Sequence, residues 1–450
     1  MSTGSKPRYT PLLHAPTRGA TGMHSHPVVI VGAGLAGLAC ARGLHAAGVR
    51  SVVLDASDAV GGRVRTDELD GFKLDRGFQV FLTAYPEARQ VLDYDALQLR
   101  RFTPGALVRV EGKFHKVVDP FRAPLAALGG ILSPVGTFGD KLKVLTLRQK
   151  ALSRSPEAIF AAPERSISDE LAAEGFSNVI ARRFFRPFLG GIFLDPSLST
   201  SSRMLYFVFR MLAEGDTAVP VGGMGAIPAQ IAAGLPAESF RLGTRVSGIR
   251  RHDERASAVV LDSGAVIQAR AVVVATDVEQ AATLTGSDLR VAARSVSCVY
   301  FDAPASPVGE PILVLDGEAR GPVLNLAVMS DVAPGYAPPG RHLVSTVVVG
   351  APSLSDGALE HGVRMQLSDW YGSDAVSRWR HLRTYRIPWA QYDQSPGILE
   401  PAQRPVRRGA GLYVCGDHVE NASINGALLA GRRAAEAVLA DLGAQQPGRP

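Results

Sequence analysis

One short run constrains this chain more than any other. Residues 28–31 are VVIV, an apolar β-branched segment of the kind that fills a buried parallel strand. Gly32, Gly34 and Gly37 follow as G-x-G-x-x-G, and residues 35–47 then read as an alanine- and leucine-rich helix. Each glycine has a job in a strand–turn–helix. Gly32 permits the tight turn, Gly34 lets a pyrophosphate approach the backbone, and Gly37 lets helix and strand pack closely. The helix N-terminus offers free N–H groups and partial positive charge to phosphates. A second apolar run, residues 51–54, ends on Asp55, placed where a carboxylate can accept ribose hydroxyls. The combination predicts a dinucleotide site.

After Asp55 come Gly61, Gly62 and Arg63, then Arg65 and Thr66. A nicotinamide site does not need this second glycine–arginine element. A permanently held FAD does, because its buried diphosphate wants further donors, and Arg63 supplies charge in a planar fork. The run GAGLAGLACARGL…VVLDASDAVGGRVRT resembles the N-terminal signature of the flavin amine oxidase superfamily. That group includes amine oxidases, protoporphyrinogen oxidases and phytoene-type desaturases and isomerases.

The similarity returns at the other end. GLYVCGDHVENASINGALLAGRRAAEAV, residues 411–438, is similar to the C-terminal FAD segment of that group. The resemblance implies that Gly416 and Asp417 contact the ribityl or diphosphate part. It also implies that the backbone at Asn425 and Gly426 faces the pyrimidine end of the flavin, and that Val246 meets the adenine through its backbone. In DRGFQVFLTAYPE, residues 75–87, Gly77 would approach the flavin, with Phe78 and Phe81 as pocket wall or as core.

The expected fold class is α/β: a Rossmann-like, GR2-type FAD-binding domain with an inserted α+β substrate domain. The FAD domain is expected to be discontinuous, over residues 27–85, 215–290 and 405–442. The substrate domain takes 86–214, helical in pattern, and 291–404, strand-rich. Residues 1–26 read as a disordered extension and 443–450 as a polar tail.

Composition enters where it excludes something. At 450 residues and 46% hydrophobic the chain can bury two cores. Cys40, Cys298 and Cys415 form no C-x-x-C, which argues against a disulfide framework or thiol relay and for a reducing, cytoplasmic setting. Ten histidines show no ligand spacing, so no metal site is expected. A net charge of +6 reads as solvated surface. The basic–aromatic run ARRFFRPF, residues 181–188, leads into a segment resembling the substrate-domain core, and nucleic-acid binding is not expected. No apolar run approaches the ~18 residues of a membrane span.

No second G-x-G-x-x-G sits between a strand and a helix; Gly409 and Gly411 precede a strand instead. Electrons are therefore expected to come from the organic substrate, not a pyridine nucleotide, and to leave to oxygen or a quinone-like acceptor. All seven lysines lie at or before Lys150. Amine oxidases of the resembling group usually carry a lysine near flavin N5, and an aromatic where ASINGA has Ser423 and Ile424. Both departures favour a desaturase or dehydrogenase acting on a hydrophobic substrate. A polyene isomerase with no net redox change, an amine oxidase and a non-enzymatic flavoprotein are the alternatives. No catalytic residue is assigned. His418, beside Asp417, is a candidate acid or base or a loop histidine, and Trp389, Gln391 and Tyr392 are candidate pocket residues.

Residues 120–154 are apolar and basic together. On a helix, Leu142, Leu145 and Leu152 would fall on one side and Lys143, Lys150 and Arg154 on the other. Two readings stand: peripheral contact with a lipid surface, or a lid helix packed on the substrate domain.

Overall fold

The computed structural model describes residues 26–119, 122, 133–287, 291–401 and 403–444. Two sheets organise it. The first has six strands in the order Phe240–Arg241, Ser51–Leu54, Val28–Val31, Ala271–Val274, Leu412–Val414, Arg407–Gly409. All neighbours are parallel except the last pair. Val28–Val31 lies at the centre, with Ile30 opposite Val53 on one side and Val273 on the other. Its four residues are buried, as an unalternating β-branched run requires. Helices Leu35–Ala46 and Ile424–Ala444 pack against each other beside this sheet, and the meander Val246–His252, Arg255–Leu261, Val266–Gln268 packs on Ala271–Val274. Chain segments from the start, middle and end thus share one sheet.

The second sheet has seven strands. Their order is Arg380–Tyr392, Ala293–Ala303, His342–Val349, Asn325–Val328, Leu313–Asp316, Gly105–Val110, Lys113–Val118. All pairings are antiparallel except Leu313–Asp316 with Gly105–Val110. The hairpin Gly105–Val118 comes from the stretch expected to be mainly helical. One face of the sheet, with Val299, Phe301 and Val344, packs under helix Asp356–Tyr371. Beside the other face lies helix Arg186–Phe193.

A helical layer built from Phe138–Leu152, Ile167–Ala173, Arg186–Phe193 and Ser202–Glu214 completes this half. Residues Ala181–Phe185 wind as a π-helix leading straight into Arg186–Phe193. Such insertions re-aim side chains, and here Phe184 and Phe188 stack at 5.3 Å.

Three expectations change. The C-terminal helix continues to Ala444, past the expected start of the tail, because its apolar face runs along helix Leu35–Ala46. Phe81 is fully buried, edge-on to Tyr85 and Tyr94. It belongs to the core. In helix Phe138–Leu152 the buried apolar residues are Leu147 and Ala151, while Leu142 is exposed. Packing against Ser202–Glu214 rotates the apolar face away from the side read from sequence. Lys143 bonds the Gly175 carbonyl and Lys150 pairs with Glu174 at 2.6 Å, so these cations serve the fold. Residues 1–25, most of 120–132, 288–290 and 445–450 lie outside the described residues, and with them nearly all of the expected extension and tail.

Candidate functional site

One cavity of about 1430 Å³ runs from the first sheet into the space above the second. Its narrow part begins where Val28–Val31 ends. Gly32 and Gly34 line it at the N-terminus of helix Leu35–Ala46. Gly37 does not; it packs against the turn. The second glycine element closes onto the first, with the Gly61 N–H donating to the Ala33 carbonyl at 2.8 Å. Two motifs far apart in sequence therefore form one cradle, with Gly62 and Arg63 on its wall. Asp55 also lines it. One of its oxygens accepts the Ala33 N–H at 2.6 Å and the other the Ser57 N–H at 2.7 Å. The acid fixes the turn, and each oxygen keeps a second lone pair for a hydroxyl. Val246 lies further along, with Thr276 and Asp277.

Arg63 and Asp417 meet across the cavity wall. Arg63 Nη2 donates to Asp417 Oδ1 at 2.7 Å and Nη1 to the Ala390 carbonyl at 3.0 Å. Burial works to raise the Asp417 carboxyl, but the guanidinium beside it prevails and holds it below the usual carboxylate range. The pair joins the second glycine element, the long strand Arg380–Tyr392 and the C-terminal segment. Gly416 and Asp417 both line the cavity.

Near the C-terminal helix the expectation shifts by a few residues. Ala422, Ser423, Ile424 and Ala427 line the cavity, whereas Asn425 and Gly426 do not. Asn425 Oδ1 accepts the Glu87 N–H at 3.0 Å, and the Gly426 N–H is taken by Ser423 Oγ at 2.9 Å. The helix starts on a tight loop, so the residues before its first turn face inward.

Gly77 lines the cavity with a φ of +87°, and a Cβ there would lie 2.6 Å from Ile387 Cδ1. Glycine lets this bend approach the strand Arg380–Tyr392. Beyond it the cavity widens among Phe78, Phe184, Phe188, Val208, Phe209 and Leu212. Leu194 contributes to this wall from a left-handed backbone, φ 53°, costly for a branched residue. Its neighbour Asp195 holds the conformation. That carboxylate is 2% exposed and accepts from Ser199, from Thr200 and from Arg294 at 2.9 Å. Burial would raise it, yet the hydroxyls of Ser197 and Ser199 and the Arg294 charge bring it down to about 2.

The candidate pocket residues and His418 fare unevenly. Trp389 and Gln391 line the cavity. His418 and Tyr392 do not. The His418 ring is 1% exposed, packed over Gly416, and neither ring nitrogen has a partner. Burial pushes it down to about 4, so the imidazole is neutral at neutral pH. It is a packing residue. Tyr392 is buried, and its hydroxyl donates to the Asp417 and Glu420 carbonyls, which spends it on the C-terminal loop. Asp67, missed in the sequence, does line the cavity. Burial acts to raise its carboxyl, but Arg76 and Tyr385 bond it and hold it low, so it stays ionised and engaged. Phe184, Phe188 and Asn325 were also missed. The first two stand in a run read for its arginines, and their inward aim follows from the π-helix. Lys141 is the lysine that lines the cavity, close to the outer residues Phe138 and Leu142.

Comparison with known proteins fits this geometry. Residues 35–439 match the family described as flavin containing amine oxidoreductase. A 15-cis-phytoene desaturase of Capsicum annuum is 24% identical over 92% of this chain and 78% of its own length. The 15-cis-phytoene desaturase of Synechococcus elongatus is 23% identical over 94% of this chain and 98% of its own. Among solved structures, cyclohexylamine oxidase from Brevibacterium oxydans superposes with a TM-score of 0.67 at 20% identity, covering 93% of this chain and 99% of that one. At such identities the likeness fixes a fold and leaves the substrate open. With a match spanning nine-tenths of its length and a glycine–arginine cradle opening into an apolar chamber, this chain belongs to the flavin containing amine oxidoreductase family and is a flavin-dependent oxidoreductase.

Proposed function

We propose that the chain is an FAD-dependent oxidoreductase of the desaturase or dehydrogenase type, removing a hydride from a hydrophobic organic substrate. The supporting observation is the continuity of the cavity: a cradle for a diphosphate and ribose leads without a partition into a chamber walled by phenylalanines and aliphatics. FAD, when bound, would supply the hydride-accepting chemistry and a route for electrons to oxygen or a quinone-like acceptor. The residues of the chain do the rest. Gly32, Gly34, Gly62 and Arg63 would hold the diphosphate, Asp55 the ribose, Val246 the adenine end, and Gly416 and Asp417 the ribityl end. Gly77 and Phe78 would orient the substrate, and the aromatic wall excludes water. Among the lining carboxylates, Asp67 is bonded by Arg76 and Tyr385 and Asp417 by Arg63, which suits hydride removal without side-chain proton transfer. The absence of any lysine after Lys150 argues against amine oxidation.

Anaerobic addition of polyenes and of primary amines to the purified holoprotein tests the reaction. Bleaching of the flavin by a polyene is the expected result. An unbleached flavin with altered double-bond geometry means isomerisation, and bleaching by an amine alone overturns the proposal. The cysteines lie buried outside the cavity lining, so the flavin should be held without a covalent bond and be fully released by acid. Flavin in the acid pellet would contradict this. Asp55→Ala should weaken FAD binding by about 1.5–3 kcal/mol, since it removes a charged acceptor and frees the turn it braces. An unchanged affinity in a flavin titration of the apoprotein would remove Asp55 from the site.

The outer end of the cavity bears on where the substrate comes from. Phe138 is 64% exposed and Leu142 51%, one helical turn apart, and both line the cavity. They form an apolar rim at an opening, a fitting contact for a lipid surface. Vesicle flotation should recover the wild type, while Phe138→Ser with Leu142→Ser should stay at the bottom of the gradient. Equal wild-type recovery with and without vesicles would end this part of the proposal.

A further inference from the structure

One face of the seven-stranded sheet lies under the chamber, and its registers set a row of facing residues, Cys298, Val347, Asn325, Leu315 and Val108, of which Asn325 alone lines the cavity. Residues directly opposite across strands share a face. Four of the five are apolar and one is an amide. Asn325 is 3% exposed and lines the cavity. Its Oδ1 is buried without a hydrogen-bond partner. An amide there costs desolvation that an aliphatic would not.

The surroundings are shaped to admit that amide. Helix Arg186–Phe193 crosses above it with Gly191 facing down, and a Cβ on Gly191 would lie 2.1 Å from Asn325 Nδ2. Any other residue at 191 would drive the amide out. From the far strand, Gln391 reaches the same turn of helix. Its Nε2 donates to the Ile192 carbonyl at 2.7 Å, which fixes the amide orientation and leaves Oε1 as a buried acceptor with no partner. Gly191, Ile192, Asn325 and Gln391 all line the cavity. So two amides flank residues 191–192 with polar atoms unsatisfied, both on the cavity lining.

We propose that Asn325 forms a hydroxyl-reading subsite: the chamber selects an apolar molecule that carries an alcohol, anchored on Asn325, with Gln391 Oε1 as a separate acceptor further along the wall. A hydroxyl is both donor and acceptor. It can complement Asn325 in either amide orientation. A bare hydrocarbon would leave Asn325 unpaired and dry. Sites of this kind discriminate strongly against an analogue that lacks the polar group. The inference rests on the hydrophobic-substrate reading above and narrows it from hydrocarbons in general to alcohols of terpenoid or similar chains.

The test uses the holoprotein and two probes, farnesol and farnesene, which share a chain and differ in the hydroxyl. Anaerobic titrations follow the flavin absorbance. Farnesol should bind at least about tenfold more tightly than farnesene. In Asn325→Leu that advantage should fall below about threefold, with farnesene bound as well as before or better and flavin content retained. Equal binding of the two probes to the wild type, a comparison that needs no variant, overturns the subsite while leaving the apolar chamber intact. A preference that survives Asn325→Leu also overturns it. No flavin response to either probe overturns both the subsite and the hydrophobic-substrate reading.

Discussion

Gly37→Val is expected to give a protein without flavin and with greatly reduced stability. A Cβ at Gly37 would lie 2.0 Å from the Gly32 carbonyl oxygen and 3.1 Å from its carbon, and Ala275 closes the other side at 3.3 Å. Those neighbours are backbone and a central strand, so nothing flexible can yield. The helix must lift off the turn it stands on, at a cost of about 3 kcal/mol or more. The turn is also the cradle floor, so cofactor binding goes with it. Gly34→Ala separates the two effects. No protein atom lies within 4 Å of a Cβ at Gly34, and its φ of −73° suits any residue. This variant should unfold at the same urea concentration as the wild-type apoprotein yet bind FAD far more weakly, because its methyl group points into ligand space. Denaturant curves and the ratio of flavin to protein absorbance measure both. Full flavin content in Gly37→Val, or a destabilised Gly34→Ala apoprotein, would show that the roles of the two glycines are misread.

The second large effect centres on Asp75. This carboxylate is 2% exposed and accepts three hydrogen bonds: Thr66 Oγ1 at 2.5 Å and the Met224 N–H at 2.9 Å on Oδ1, and the Tyr336 hydroxyl at 2.8 Å on Oδ2. Thr66 in turn accepts the Gly225 N–H, and Tyr300 donates to the Asp75 carbonyl. One side chain thus ties the hairpin Thr66–Leu69 and Phe72–Asp75 to the loop before helix Ala226–Ala233 and to the turn Pro334–Tyr336. Gly77, two residues on, takes its place from this anchor. Asp75→Ala would strand three buried donors and should cost about 3–5 kcal/mol at pH 5.

The cost should shrink as pH rises. Burial pushes the Asp75 carboxyl up from 3.8 to about 6, against the pull of its three hydrogen bonds. A raised carboxyl binds its proton more tightly when folded. Wild-type stability from this group is therefore greatest below pH 3.8, falls between pH 3.8 and 6, and stays low above, by about 3 kcal/mol in all. The difference between wild type and Asp75→Ala in urea unfolding should narrow from pH 5 to pH 8. A difference that is constant or widens with pH would mean that Asp75 is ionised in the folded protein at pH 5.

How much of this was legible beforehand depends on the range of the interactions. The cradle was. Gly32, Gly34, Gly37, Asp55, Gly62 and Arg63 carry short-range signals, because a turn that admits a phosphate needs particular residues at particular spacings whatever surrounds it. The C-terminal motif was legible to within a few residues; Asp417 faces the cavity as expected, but a tight loop moves the inward positions from Asn425 and Gly426 to Ala422–Ile424 and Ala427. In residues 138–152 Leu142, on the apolar side read from sequence, stays exposed while Leu147 and Ala151 are buried, since periodicity cannot tell which positions a partner helix will cover.

The sequence by itself determined the glycine turn, the central buried strand and the family, all written in local patterns. The tertiary structure alone decided which polar side chains stand inside the chamber. His418, read as an acid or base or as a loop histidine, is sealed behind Gly416, while Asn325, with no motif around it, lines the chamber. The physical reason is that a strand residue's environment is set by register and by what crosses above it. Asn325 pairs with Val347 on the next strand, and Gly191, more than a hundred residues earlier in the chain, passes overhead; no local pattern encodes that meeting.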